Sequence, residues 1–266
     1  MTSIEVFKDL LKSAQLVTNQ ERRFLVDYYY QMQNYRITSA NQMRSMPNEP
    51  HGIMQFLFNE MEGAEENVKK FLQKSLKGDP VGEWLLGVKG IGPVIASGFM
   101  AFMDLEKAPH ASSFVRYAGL DPSCEWNKGE KRPFNAFVKT LCWKAGESFV
   151  KNQNRDGCFY GQLFAKRKEY EINRNERGEN LEAAVEKLKK YNIGKTTEAY
   201  KHYKEGRLPA AHVHARARRW LMQLFLCHLW VVMWESKHGK KAENPWIIEH
   251  GGHDTIIQVP NWNYQA

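Results

Sequence analysis

The segment from Trp84 to Phe99 constrains the fold of this chain more than any other. It reads WLLGVKGIGPVIASGF. Leu85 and Leu86 end an apolar helical stretch, and the glycines at 87–92 favour a tight turn. Pro93 suits the first position of a second helix, because the N–H that proline lacks is unpaired there in any residue. The segment therefore predicts two helices joined by a short glycine-rich connection, a helix-hairpin-helix.

This connection also predicts a phosphate site. Gly90 and Gly92 let the backbone approach an anion closely, and the N–H groups of the next helical turn point toward it. Lys89 adds a cation, and Ile91 lies between the two glycines in the same predicted contact. A loop of this kind holds a nucleic-acid backbone without reading bases. The alternative is a glycine-rich turn that only joins two core helices.

The distribution of charge agrees with a polyanionic partner. The 266 residues carry a formal net charge of +8, and the isoelectric point is about 9.2. Residues 1–75 contain nine Lys/Arg and nine Asp/Glu, so that part is neutral. The whole basic surplus therefore lies downstream, beginning with the glycine-rich connection, as expected of a phosphate-binding surface.

Composition also excludes several classes of protein. The four cysteines form no CxxC pair, which disfavours a zinc ribbon or a redox motif. The most apolar run, 220–234, is shorter than the roughly 20 residues that a membrane span needs. No signal peptide is evident, so we expect a reduced cytoplasmic setting. His212 and His214 are two residues apart and lie on different helix faces, so we expect no metal site.

Apolar residues recur at helical spacing along most of the chain, and strand signals are scarce. We therefore predict a mainly all-α fold. Four regions are expected: a helical N-terminal region at 1–76, a helix-hairpin-helix domain at 77–151, a charged helical hairpin with a long core helix at 152–238, and an irregular tail at 239–266. A polar break at 41–52 is predicted before a helix at 53–76, and Ser112 or Ser113 is expected to cap a short helix that ends at Tyr117.

Several segments together resemble one known family. They are GIGP at 90–93, FVRYAGLDP at 114–122, GEKR at 129–132 and a lysine-bearing helix at 135–151. In these residues the chain is similar to the C-terminal domain of the DEDD insertion-sequence transposases, a bacterial family that works with a guide RNA. The match covers about 84–151, with a weaker arginine-rich echo at 215–219, and YAGLDP is its most specific part.

The resemblance implies the DNA-handling half of a transposase, acting in DNA recombination or transposition of a mobile element. DNA is then the expected partner, and a structured RNA and a second copy of the chain are further options. The setting it implies is the cytoplasm of a bacterial or phage-infected cell. The resemblance leaves open the form of DNA and the kind of mobile element.

Two departures from the family bear on catalysis. Its members carry an acidic, strand-rich nuclease-like domain, whereas the roughly 80 residues before the connection here are predicted to be helical. The family's catalytic serine falls at Asn127 in this sequence, and Ser123 is nearby but out of register. We therefore expect a DNA-binding protein with no catalytic residue and no cofactor, with Ser123 as an outside candidate.

Two alternatives stay open. One is an active transposase or recombinase with a divergent site, which would need Mg²⁺. The other is a helical protein-interaction module in which the connection is only structural.

The predicted nucleic-acid contacts include cations outside the connection. The frame of the resemblance contains Lys128, Lys131, Arg132, Lys139 and Lys144. The loop at 128–132 is a candidate second phosphate clamp, or else an ordinary solvated loop. Arg216 and Arg219 share a helix face with His212 and Gln223, and they either meet a polyanion or pair with internal carboxylates.

Overall fold

The computed structural model describes residues 3–46, 52–243 and 256–263. Over these residues the chain is helical without any strand, which confirms the all-α prediction. The helices are α1 (Ser3–Lys12), α2 (Asn19–Arg44), α3 (Gly52–Ser75), α4 (Pro80–Gly87), α5 (Pro93–Phe102), α6 (Ala111–Tyr117), α7 (Ala136–Lys151), α8 (Phe159–Glu176), α9 (Leu181–Lys190), α10 (Glu198–Lys204) and α11 (Ala210–His238). No helix in these ranges has the length and apolar character needed to cross a membrane.

The long helix α11 is the centre of the main core. One row of its buried residues recurs every three or four positions, as one face of a helix requires, at Ala217, Leu221, Phe225, Leu229 and Val232. Helices α4, α6, α7 and α8 pack against this face. The core therefore unites the predicted domain at 77–151 with helices that follow it in the sequence.

Phe225 joins the α4–α5 pair to the rest of the core. Its ring centroid lies 6.0 Å from that of Trp84 on α4 and 5.2 Å from that of Phe99 on α5. The rings of Phe149 and Tyr160 lie 5.6 and 5.3 Å away. Aromatic rings at these separations attract one another in addition to burying apolar area. The two helices beside the glycine-rich connection thus both pack against Phe225 of α11.

Helices α2 and α3 form an antiparallel pair on the other side of α5. Thr18 begins α2 with a reciprocal capping box to Glu21. Val26 of α2, Leu72 of α3 and Val94 of α5 bury one another in a small apolar cluster. The helix predicted at 53–76 is α3, whereas α2 extends to Arg44 and so runs into the predicted polar break, of which 47–51 lie outside the described residues.

The other predicted helices agree with the structure only in part. The segment predicted as a charged helical hairpin holds two helices, α8 and α9, but α8 packs mainly against α11 and α9 against α10, which was not predicted. The capping role for Ser112 or Ser113 was wrong, because α6 begins at Ala111. His110 takes the cap position with an extended backbone (φ −135°, ψ 154°) and without a side-chain cap.

The described parts of the tail, 239–243 and 256–263, have no regular structure but pack on the core. The indole N–H of Trp84 donates to the Pro260 carbonyl at 2.8 Å. The Trp262 indole donates to the buried Glu235 carboxylate at 2.8 Å. The predicted tail is therefore irregular where it is described, yet it covers part of α4 and α11.

Candidate nucleic-acid interface

The connection between α4 and α5 requires glycine at Gly90. Its φ is +106°, a conformation that side-chain-bearing residues rarely adopt. A Cβ there would lie 2.9 Å from Cδ1 of Phe149 on α7. The Ser148 hydroxyl donates to the Gly90 carbonyl at 2.6 Å. The connection is thus pinned against α7 by close backbone approach and by a hydrogen bond.

Gly92 has a different role, because it stands at the open N-terminus of α5. It occupies the cap position with no side-chain hydrogen bond, and a Cβ there would meet nothing within 4 Å. Pro93 has no N–H, and the N–H groups of Val94 and Ile95 donate to no acceptor in the described parts of the chain. Unpaired N–H groups at a helix start carry partial positive charge and favour an anion.

The residues that carry these donors line a cavity of about 290 Å³ between α2, α3, α5 and α7. It is lined by Tyr29, Tyr30, Gln33, Lys69, Gly92, Pro93, Val94, Ile95 and Lys144. The Lys144 ammonium lies 4.1 Å from the centre of the Tyr30 ring, and burial lowers the pKa of Lys144. Lys69 pairs with Glu66 at 3.2 Å. The cavity therefore combines a helix start with two ammonium groups, of which that of Lys69 already pairs with a carboxylate.

The remaining predicted residues of the connection divide by burial. Ile91 is 5 % exposed and packs in the main core, and its N–H donates to the Val88 carbonyl at 2.9 Å, so it offers an anion neither a side chain nor a free N–H. Lys89 is exposed, and its ammonium donates to the Asp156 carbonyl at 2.5 Å. The side chain of Lys89 thus reaches the turn between α7 and α8.

The loop predicted as a second phosphate clamp is an ordered turn. The Trp126 indole N–H donates to the Glu130 carbonyl at 2.9 Å, and the Asn127 N–H donates to the Glu130 carboxylate at 3.1 Å. Lys128 and Lys131 are exposed. The Glu130 contacts therefore hold the turn on which these two lysines stand.

Arg132 and Lys139 are exposed and lie over aromatic rings. The Arg132 guanidinium is 4.9 Å from the centre of the Trp126 ring, and the Lys139 ammonium is 4.3 Å from that of Phe134. Such contacts orient a cation without neutralising its charge. Both residues remain available to an anionic partner.

Arg216 and Arg219 differ, although they share a helix face. Arg216 Nε lies 3.2 Å from the Glu171 carboxylate, whose side chain is 2 % exposed and which also pairs with Arg167 at 2.5 Å. Of the two alternatives for this face, pairing with an internal carboxylate therefore applies to Arg216. Arg219 is exposed and has no ion pair within the described ranges. On the same face, the Gln223 amide donates to the Leu120 carbonyl at 2.8 Å.

Ser123 stands in a hydrogen-bonded turn. Its hydroxyl and its N–H donate to the Asp121 carboxylate at 2.7 and 2.9 Å, and these bonds lower the pKa of Asp121. This pattern is typical of turns that begin with aspartate. The cysteines at 124, 142, 158 and 227 are free, and no group of three metal-ligating side chains occurs in the described residues.

Sequence reasoning missed the part of the cavity that the N-terminal region supplies. Tyr29 and Tyr30 lie in the N-terminal region that is predicted only to be helical, and Lys69 lies in a segment of balanced charge. No local signal connects these residues to the connection near residue 90. Only the packing of α2 and α3 against α5 brings them there.

Comparison with known proteins adds one match. Residues 82–127 match the model of the transposase IS116/IS110/IS902 family. This range includes the α4–α5 connection, α6 and the Ser123 turn. No curated protein and no solved structure matches the chain. The match supports a relationship to transposases for this part of the molecule.

Proposed function

We propose that this protein binds DNA by its phosphate backbone, as the DNA-handling part of a transposase-related system. The observation that carries this proposal is the start of α5, where Val94 and Ile95, whose N–H groups have no acceptor in the described residues, line the same cavity as Lys69 and Lys144. One phosphate oxygen can accept from the backbone donors while an ammonium neutralises another. In this interpretation α4, the connection and α5 act as a helix-hairpin-helix.

The second contact surface is the loop at 126–134 together with the start of α7. Lys128, Lys131, Arg132 and Lys139 are exposed there, and none of them has a carboxylate partner within the described ranges. Each can meet a phosphate without first breaking an ion pair. Backbone amides and lysines recognise groups that every sequence carries, so we expect binding that tolerates sequence.

The salt dependence of binding tests this proposal. If four to six cations meet phosphates, log affinity for duplex DNA should fall with log salt at a slope of about −4 to −5. Lys131→Ala should reduce the steepness by about one unit and weaken unrelated sequences equally. Lys12→Ala is the matched control, because Lys12 is an exposed lysine of α1 already paired with Asp9 at 2.7 Å. A slope near zero would reject the proposal and favour a protein-interaction module.

We further infer that the chain alone binds DNA without cutting it. Asn127 stands where the resembled family has its serine, and Ser123 donates its hydroxyl to a turn carboxylate. Nucleophilic attack needs a hydroxyl held against both a base and the scissile group. Supercoiled plasmid incubated with the protein and Mg²⁺ or Mn²⁺ should therefore be retarded on a gel but not nicked.

One observation favours the active enzyme as a second candidate. The Asp121 carboxylate lies 2.7 Å from the Ser123 hydroxyl, inside the range that matches the transposase family. This pair inside the matched range is the ground for the second candidate, although the same hydrogen bond lowers the pKa of Asp121 and so makes it a weaker base. Plasmid nicked by the unaltered protein but left intact by Ser123→Ala would establish this candidate, with Mg²⁺ as the cofactor to test.

A further inference from the structure

Two tryptophans lie exposed beside the proposed phosphate contacts. Trp126 in the loop is 47 % exposed and Trp143 on α7 is 53 % exposed, whereas Trp84 and Trp230 are below 10 %. An exposed indole leaves a large apolar surface in water, which is unfavourable while the protein has no partner bound there. Such surfaces commonly mark a place where a partner binds.

Cations alternate with aromatic rings between and around the two indoles. Arg132 lies over Trp126 at 4.9 Å and also 5.7 Å from the centre of the Phe134 ring. Lys139 follows over Phe134 at 4.3 Å. Trp143 stands one helical turn after Lys139 on α7, so the two side chains are neighbours.

The far end of this row repeats the same pairing. The Arg218 guanidinium of α11 lies 5.6 Å from the centre of the Trp143 ring. It also forms an ion pair with Glu147, which stands one turn after Trp143 on α7. Glu147 thus fixes the guanidinium beside the indole. We call the row formed by Trp126, Arg132, Phe134, Lys139, Trp143 and Arg218 the indole–cation row.

We propose that the indole–cation row binds a single-stranded nucleic acid, with Trp126 and Trp143 stacking against unpaired bases. The inference rests on the proposed function, since it names the form of nucleic acid that this surface takes. A single strand offers base faces at the same repeat as its phosphates, which matches rings that alternate with cations. In a duplex the base faces are already stacked, so an indole on the surface meets only backbone. The protein therefore prefers strands with unpaired bases.

The experiment measures fluorescence anisotropy of labelled 12-nucleotide oligothymidine, oligouridine and a 12-base-pair duplex at one salt concentration. The variants are the double substitutions Trp126→Ala with Trp143→Ala, and Trp126→Phe with Trp143→Phe. Tyr191→Ala is the control, because Tyr191 is 50 % exposed with Lys187 over its ring at 4.3 Å but lies outside the row. Circular dichroism verifies the helical content of each variant.

The alanine pair should weaken single-strand binding at least tenfold and duplex binding less than threefold, because stacking of each base is a substantial part of single-strand affinity. The phenylalanine pair should restore most of the loss, and the control should match the unaltered protein. Equal effects on oligothymidine and oligouridine identify stacking without sugar recognition, and unequal effects identify the preferred strand. If the alanine pair weakens duplex and single-strand binding equally, this inference is overturned, whereas the proposed function stands. Failure of the unaltered protein to bind any of the three rejects both.

Discussion

Gly92→Asp separates stability from phosphate binding more cleanly than any other single substitution at the connection. The cap position at Gly92 is open, its backbone is extended (φ −91°, ψ 171°), and the first N–H groups of α5 are free. An aspartate there can accept from those N–H groups as a helix cap. The gain over glycine is a few tenths of a kcal/mol from the cap, plus about 0.3–1 kcal/mol from the helix dipole.

The same carboxylate occupies the proposed phosphate site with a negative charge. At about 5 Å from a phosphate, its repulsion amounts to roughly 1–3 kcal/mol for an effective dielectric constant between 80 and 20. That range corresponds to a loss of affinity from about fivefold to over a hundredfold. We therefore expect Gly92→Asp to unfold at an equal or higher temperature than the unaltered protein while it binds DNA far more weakly.

Gly92→Asn is the matched control, since asparagine caps a helix as well as aspartate but carries no charge. Thermal unfolding by circular dichroism and titration of a labelled duplex at low salt measure the two effects. Equal affinities for the aspartate and asparagine variants would refute the placement of a phosphate at the start of α5.

Three other predictions concern stability and the arginine face. Gly90→Ala should reduce the free energy of unfolding by about 1–3 kcal/mol, because φ is +106° and the new Cβ would lie 2.9 Å from Phe149. Urea denaturation measures this loss, and an unchanged midpoint would contradict the prediction. Burial lowers the pKa of His228 from 6.5 to about 4. As the pH falls, the unfolded chain therefore binds a proton at His228 at a higher pH than the folded protein does. The stability that depends on the neutral, buried histidine is present above pH 6.5 and is lost as the pH falls toward 4. Between pH 7 and pH 5 protonation of His228 in the unfolded chain should remove about 2 kcal/mol of unfolding free energy. His228→Gln should lose this share of the pH dependence, whereas the share of His212, whose pKa burial also lowers to about 4, should remain. Arg216→Ala should reduce the free energy of unfolding by about 1 kcal/mol with little effect on DNA affinity. Arg219→Ala should weaken DNA binding at unchanged stability. Thermal unfolding and DNA titration of both variants measure this, and the reverse pattern would exclude this division of roles.

The sequence by itself determined most of the helices and the connection between α4 and α5. Both depend on interactions within a few residues: apolar spacing, the glycine that permits a positive φ at Gly90, and the proline that begins α5. Local rules fail where the cap is unusual, as at Ala111, where α6 begins without a serine cap. They also gave no sign of α10, a helix of only seven residues.

Tertiary structure decided which cations remain available and what surrounds them. Arg216 and Arg219 stand three positions apart on one helix, yet only Arg216 meets the buried carboxylate of Glu171. The cavity at the start of α5 receives Lys69 from a helix distant in sequence, and the row at Trp143 is completed by Arg218 of α11. These arrangements depend on how helices pack, and packing is set by contacts between residues far apart in the chain, which no local pattern encodes.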